Sequence, residues 1–339
     1  MPAKTLKHLL ITFDYELFLG KKSGSVEKCV IEPTNKLISI LSKHKALAVF
    51  FVDAAWLVKL KECAAMYPAA KESYQKVVVQ IQQLIKEGHY IFNHLHSHWL
   101  DAQYIPETNE WNLSNHALYR FSALSEEQRD TIFAQTNQVL KEIIEPVKPG
   151  YTTEGYRAGG WSIQPFECFI PYFKKYGIKY DFSIKPGMKS VTTAQQYDFT
   201  KATITTPYQF TDNPVVKGYG DFTEFPITGI SIPEYMKQLN RILLKYLWLK
   251  GDRYAFDGQG VSAKVLETTT TETEMVSIEL LTRAKLPAYL SLIKAHDYVQ
   301  FISHPKMLTK HNMDTFAHLM KKAFAKYTIE TDFKKMLPK

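Results

Sequence analysis

Three histidines, His94, His96 and His98, fall within five residues, directly after a short apolar run. The chain has 11 histidines in 339 residues, so chance does not account for this cluster. Neutral imidazole nitrogens are ligands for Zn²⁺-type cations, which makes a metal site the natural use of such a group. Spacing decides which rings can act together. In an extended strand, positions i and i+4 lie about 13 Å apart, too far for both to meet one ion at about 2.0–2.1 Å. On a helical turn the same positions are about 6 Å apart on one face. Either His94 and His98 chelate from a turn, or His94 and His96 chelate from a strand end. A turn directly after Asn93 is expected and favours His94 with His98, leaving His96 pointing away or lining the site.

Acids complete the donor set. The run Leu9–Phe13 ends in Asp14-Tyr15-Glu16, and carboxylates at i and i+2 of a strand project to one side, about 6.5 Å apart. One can complete a site of two histidines and a carboxylate with open positions, and the other can accept a proton from water. Two further segments carry chemistry. Tyr156-Arg157-Ala158-Gly159-Gly160-Trp161 places an arginine, able to hold a carboxylate, before glycines that let backbone N–H groups approach a ligand. Val299–Pro305 places His304 directly after an apolar strand, a fit position for a general acid.

The elements that must position these residues alternate. Strand-like runs are expected at Leu9–Phe13, Ala46–Val52, Tyr90–Asn93, Gly155–Arg157, Lys179–Ile184, Phe222–Ile227 and Tyr298–Ser303. Between them lie segments of helical period. One runs from Thr34 to Leu41, and one carries Val77, Ile81, Leu84 and Ile85 and stops at Gly88. Another, with Ile132 through Ile144 on one face, opens on the capping-box pattern Ser125–Gln128. Buried-type strands alternating with helices argue a parallel sheet covered by helices, an α/β fold in which the carboxyl ends of the strands form the reactive face. Seven strands suit an open or distorted barrel. Residues 99–124 and 186–275 interrupt the alternation as loop elaborations of one domain spanning 1–339. The second contains an apolar helix, Ile232 to Leu249, expected to pack in the core, and a Thr-rich stretch, Thr268–Thr271.

Composition narrows the class. The chain is 45% hydrophobic, with a net charge of +8 spread over small lysine clusters. No basic stretch interleaved with aromatics suggests nucleic-acid binding. No window reaches the ~18 apolar residues of a membrane span. The first residues lack the apolar core of a signal peptide. Three cysteines, Cys29, Cys63 and Cys168, form no C-x-x-C pair and read as reduced thiols. A cytoplasmic protein is expected.

Taken in order, these segments resemble the polysaccharide deacetylase family (NodB homology, carbohydrate esterase 4). Thr12-Phe13-Asp14-Tyr15-Glu16 is similar to the family's Thr-Phe-Asp-Asp-Gly motif, with Asp14 at the base position, Tyr15 where the metal-binding Asp would stand, and Glu16 as its analogue. His94 and His98 match the family's His-x-x-x-His, Arg157 the arginine of its third motif, and Ile302-Ser303-His304 its Leu-x-His. The resemblance implies a distorted (β/α)7 barrel with long loop insertions. It implies one divalent metal, Zn²⁺ first with Co²⁺ or Ni²⁺ also suiting, held by Glu16, His94 and His98. Asp14, oriented by Arg157, would be the base; Gly160 would give the oxyanion N–H beside Trp161, and His304 would protonate the leaving group. The implied substrate is an N- or O-acylated sugar. The cytoplasmic branch that the chain resembles points to a nucleotide- or lipid-linked precursor of surface polysaccharide or lipopolysaccharide. A different metal-dependent amidase or deformylase, or a non-catalytic carbohydrate-binding descendant, would share much of the same pattern.

Overall fold

The computed structural model describes residues 4–20, 22–113, 115, 117–192, 194–246, 252–260 and 273–338. In chain order its strands are β1 (Leu6–Tyr15), β2 (Val49–Asp53), β3 (Tyr90–Leu95), β4 (Gln103–Ile105), β5 (Glu110–Asn112), β6 (Gly155–Ala158), β7 (Tyr180–Asp181), β8 (Lys189–Val191), β9 (Gln196–Asp198), β10 (Tyr208–Phe210), β11 (Phe222–Glu224), β12 (Gly229–Ile230), β13 (Glu274–Met275), β14 (Tyr298–Ser303) and β15 (Thr328–Glu330). The α-helices are α1 (Glu32–Leu41), α2 (Ala54–Ala64), α3 (Pro68–Lys86), α4 (Glu126–Ile144), α5 (Ile170–Tyr176), α6 (Glu234–Tyr246), α7 (Leu286–Ala295) and α8 (Lys310–Lys326).

The parallel run of the central sheet is β14-β1-β2-β3-β6-β7-β11, with β10 antiparallel at one edge and β15 pairing with the start of β1. All seven expected strands are in that run, each overlapping its expected place; β1, β2, β3 and β6 run past the expected ends, and β7 and β11 stop short of them. The two ends of the run meet without a strand ladder. Tyr298 Oη donates to Pro226 O (3.3 Å), Gln300 N to Thr228 Oγ1 (2.8 Å), and Val276 bridges Thr228 and Ile302 through its backbone. The sheet thus curls into a distorted (β/α)7 barrel, the fold the sequence implies.

Two packed layers follow from the period of two along each strand. Leu10, Val49, Phe51, Phe92, Phe182, Phe225 and Tyr298 point inward and fill the barrel, and Phe333 and Met336 of a short C-terminal helical turn pack among them. Ile11, Phe13, Phe50, Val52, Ile91 and Phe301 point outward and meet the helices. Helix ends obey their sequence signals. Ser125 and Gln128 form the reciprocal capping box of α4, and Gly88, with φ of +90°, turns the chain from α3 into β3.

Two expectations need amending. The loop 99–124 contains a hairpin, β4 with β5. The helix begun at Ile232 starts at Glu234 and meets the core through Met236, while Tyr235, Leu239 and Ile242 are exposed. Its expected end at Leu249 and the stretch Thr268–Thr271 lie outside the described residues.

Candidate metal centre and active site

Asp14, Glu16, His94 and His96 stand at the mouth of the barrel by strand arithmetic. On β1 the inward series Leu10, Thr12 continues to Asp14 and Glu16, and both carboxylates are buried at the carboxyl end of the strand. Tyr15, between them, points the other way. Its hydroxyl donates to Gln80 Oε1 of α3 at 2.8 Å, inside the helix layer. The acid-x-acid spacing is therefore what an extended strand requires to present two carboxylates to one site, and a tyrosine between them belongs to the outer core.

The same rule decides among the histidines and corrects the expectation that His98 is a ligand. β3 runs to Leu95, and His96 is still extended at φ −102°, ψ 98°. His94 and His96 therefore fall on one face, with Nε2 atoms 3.0 Å apart. The turn begins only at Ser97, too late for a pair at i and i+4. The His98 ring stacks on Tyr119 at 4.8 Å, and it is Glu16, His94 and His96 whose ligand atoms converge.

This trio fits a cation on its own chemistry. His94 Nδ1 lies 2.8 Å from Arg157 O, a carbonyl that can only accept, so Nδ1 carries the proton and Nε2 presents a lone pair. That lone pair faces Glu16 Oε2 at 3.5 Å, and His96 Nε2 stands 2.8 Å from the same oxygen. Glu16 Oε2 is buried and accepts no aligned hydrogen bond. Electron-rich atoms gathered around one point call for a positive ion between them.

Around the trio stand the groups that could move protons. Arg157 Nη1 holds Asp14 Oδ1 at 2.5 Å, Nη2 donates to Thr12 Oγ1 at 2.9 Å, Nε donates to Phe182 O at 3.0 Å, and the guanidinium lies on the Phe51 ring. Asp14 Oδ2 is left facing His304 Nε2 at 3.5 Å and His94 Nε2 at 4.0 Å. Burial pushes the Asp14 carboxyl up, but Arg157, His94 and His304 together pull it below its usual value, so it is ionised at neutral pH. Glu16 is likewise pushed up by burial and held well below its usual value by Lys306 and the two histidines. Burial pushes His304 down, yet Glu279, Asp14 and Glu16 outweigh it and raise the imidazole to about 9. Glu279 Oε1 sits 3.2 Å from His304 Nδ1 and leaves Nε2 for the site.

The structure brings together Asp14, Glu16, His94, Arg157 and His304 as the sequence implies. Trp161 lines the cavity of about 500 Å³ above them, with Glu16, Tyr119, His304 and Lys306. Gly160, at φ +56°, packs beside the cavity residues Tyr119 and Gln195: a Cβ there would come within 2.8 Å of Tyr119. Three site residues escaped the sequence reading. Lys306 donates to Glu16 Oε1 at 2.8 Å and to Leu17 O at 2.6 Å; it stands two residues after His304, the spacing that already joins Asp14 to Glu16. Asp53, ending β2 opposite His94, caps α2 and accepts from Trp99 Nε1 at 2.6 Å. Burial lifts its carboxyl, and although His96 and the Trp99 bond oppose this, it rests at about 6. Glu279 lies in a loop and carries no sequence signal.

No family model and no curated protein matches the chain. Solved structures do. A 4-alpha-glucanotransferase of Thermococcus litoralis matches at 12% identity over 97% of this chain and 40% of its own, with a TM-score of 0.50. A Mycobacterium smegmatis protein assigned to the polysaccharide deacetylases matches at 14% identity over 99% and 90%, with a TM-score of 0.49. A family 4 carbohydrate esterase of Streptomyces lividans matches at 8% identity over 97% and 91%, with a TM-score of 0.40. At such identities the likeness concerns the fold alone.

Proposed function

We propose that this chain is a metal-dependent carbohydrate deacetylase, a hydrolase that removes an N- or O-acyl group from a sugar. The observation that carries the reading is the convergence of Glu16, His94 and His96 beside an ionised Asp14 and a protonated His304. A divalent cation held by the trio would supply Lewis acidity to the acyl group and its attacking water. Arg157 fixes one oxygen of Asp14, so Oδ2 receives the proton that water loses as its oxygen bonds to the acyl carbon. His304 Nε2 gives its proton to the departing nitrogen or oxygen as the bond to the acyl carbon breaks. Glu279 keeps His304 charged until that moment, and Lys306 ties back Glu16 Oε1 so that Oε2 is left toward His94 and His96. Gly160 and Trp161 complete the reading as oxyanion donor and cavity wall. Zn²⁺ suits this donor set, as do Co²⁺ and Ni²⁺. The finer reading is one catalytic unit over residues 1–339, working in the cytoplasm on a nucleotide- or lipid-linked sugar destined for surface polysaccharide.

The test is acyl release from N-acetylated sugars with metal resupplied, alongside metal content. His96→Ala is expected to abolish stoichiometric metal and activity, Asp14→Asn to keep metal and lose about 10²–10⁴-fold in rate, and His98→Ala to keep both. A purified protein without metal affinity, or full activity in Asp14→Asn, would refute it.

A further inference from the structure

Among the described residues, helix α6 leaves an apolar stripe uncovered. Tyr235, Leu239 and Ile242 are 66%, 46% and 52% exposed, and steps of four and three place them on one line along the helix. The helix rests on the protein through the neighbouring face, where Asn240 Oδ1 accepts from Thr282 Oγ1 at 2.6 Å. At 100° per residue, Arg241 and Lys245 flank the stripe on the side away from the protein, with Lys237 beyond them. Glu234, the only acid on the helix, lies on the same side 3.5 Å from Lys237 and 3.8 Å from Arg241, and the flank stays net positive. An apolar stripe bordered by cations is the pattern of a helix lying in a lipid–water boundary, apolar side among acyl chains and basic side among anionic headgroups.

Its neighbours share this character. Leu280, two residues before the Thr282 that anchors α6, and Met307, beside Lys306, are on the rim of the active-site cavity and are more than a third exposed. Phe256 is 74% exposed and precedes Gly258, whose backbone lies against the cavity residue Phe18. Leu280 and Met307 thus border the cavity mouth, and α6 is anchored two residues from Leu280.

We propose that α6 and this rim dock the protein on an anionic membrane surface, and that the acylated sugar it receives is carried on a lipid. The second half rests on the deacetylase reading; the docking does not. A second copy of the chain is the poorer occupant. A two-fold contact would bring the cationic flanks of two α6 helices together, and three stripe residues fall well short of the roughly 800 Å² per partner of a stable pair.

Sedimentation with phosphatidylcholine vesicles, with and without phosphatidylglycerol, tests it. The protein should bind only the anionic vesicles, and less as salt rises. Leu239→Glu with Ile242→Glu, and separately Arg241→Glu with Lys245→Glu, should each weaken binding about tenfold or more and leave hydrolysis of a water-soluble N-acetyl sugar unchanged. Absence of vesicle binding, equal binding by the variants, or a dimer that Leu239→Glu dissolves overturns the docking. Vesicle binding without acyl release from any sugar supports docking and overturns the deacetylase reading instead.

Discussion

His304 illustrates how one buried contact sets a working range. Its imidazole is raised to about 9 against the effect of burial, chiefly by Glu279 and then by Asp14 and Glu16. A proton donor with a raised value is charged below it and spent above it, so hydrolysis should hold through neutral pH and fall as pH passes about 9. Glu279→Gln removes the first of the three supports. The alkaline limb of a kcat/KM profile should then move down by about one unit, with metal content unchanged; an unmoved limb would show that another group donates the proton. Tyr15 gives the complementary case. Tyr15→Asp would bring the motif nearer to the deacetylase family's, but position 15 faces Gln80 in the helix layer. The new carboxylate would be buried without a cation, at a cost of about 3–5 kcal/mol, and metal stoichiometry should not rise. Urea titration and metal analysis of that variant check both statements.

At the scale of the element, the strand period governs what the sequence could and could not reveal. Seven apolar runs, their order and their acid or histidine endings were legible, because parallel strands buried on both faces read as continuous hydrophobic segments. Asp14, Glu16, Arg157 and His304 were legible for the same reason: each ends such a run. His96 was not, because choosing it over His98 requires knowing that the chain stays extended past Leu95, and the same letters fit a turn. Lys306 and Glu279 were hidden for different causes, one on a short helical turn after His304 and one in a loop 25 residues before it. The exposed face of α6 was misread because apolar periodicity states which residues share a side, not what that side meets. One insertion tests the period directly. A single alanine placed between His94 and Leu95 would turn His96 toward the helices, so stoichiometric metal should vanish while α2 and α3 keep their far-ultraviolet signature.

For the molecule as a whole, the proposed ion site would join ion binding and folding in one equilibrium. An ion held only by the folded barrel at a hundred times its dissociation constant adds about 2.7 kcal/mol, so chelation should lower the melting temperature and resupply should restore it. Phe333 matters at the same scale. It seals the barrel base against Tyr90, Phe92, Tyr180, Phe182 and Phe225, and Phe333→Ala should cost about 3–5 kcal/mol without touching the metal trio. The pairing of β1 has a further consequence for biosynthesis. His8 lies opposite Tyr298, and Leu6 opposite Thr328, so β1 waits for β14 and β15, made far later, before its second edge is covered. Until then a long apolar ribbon is open to any extended chain nearby. Nascent chains stalled before β14 should collect in inclusion bodies or on holdase chaperones, and slower translation should lengthen that hazard rather than relieve it.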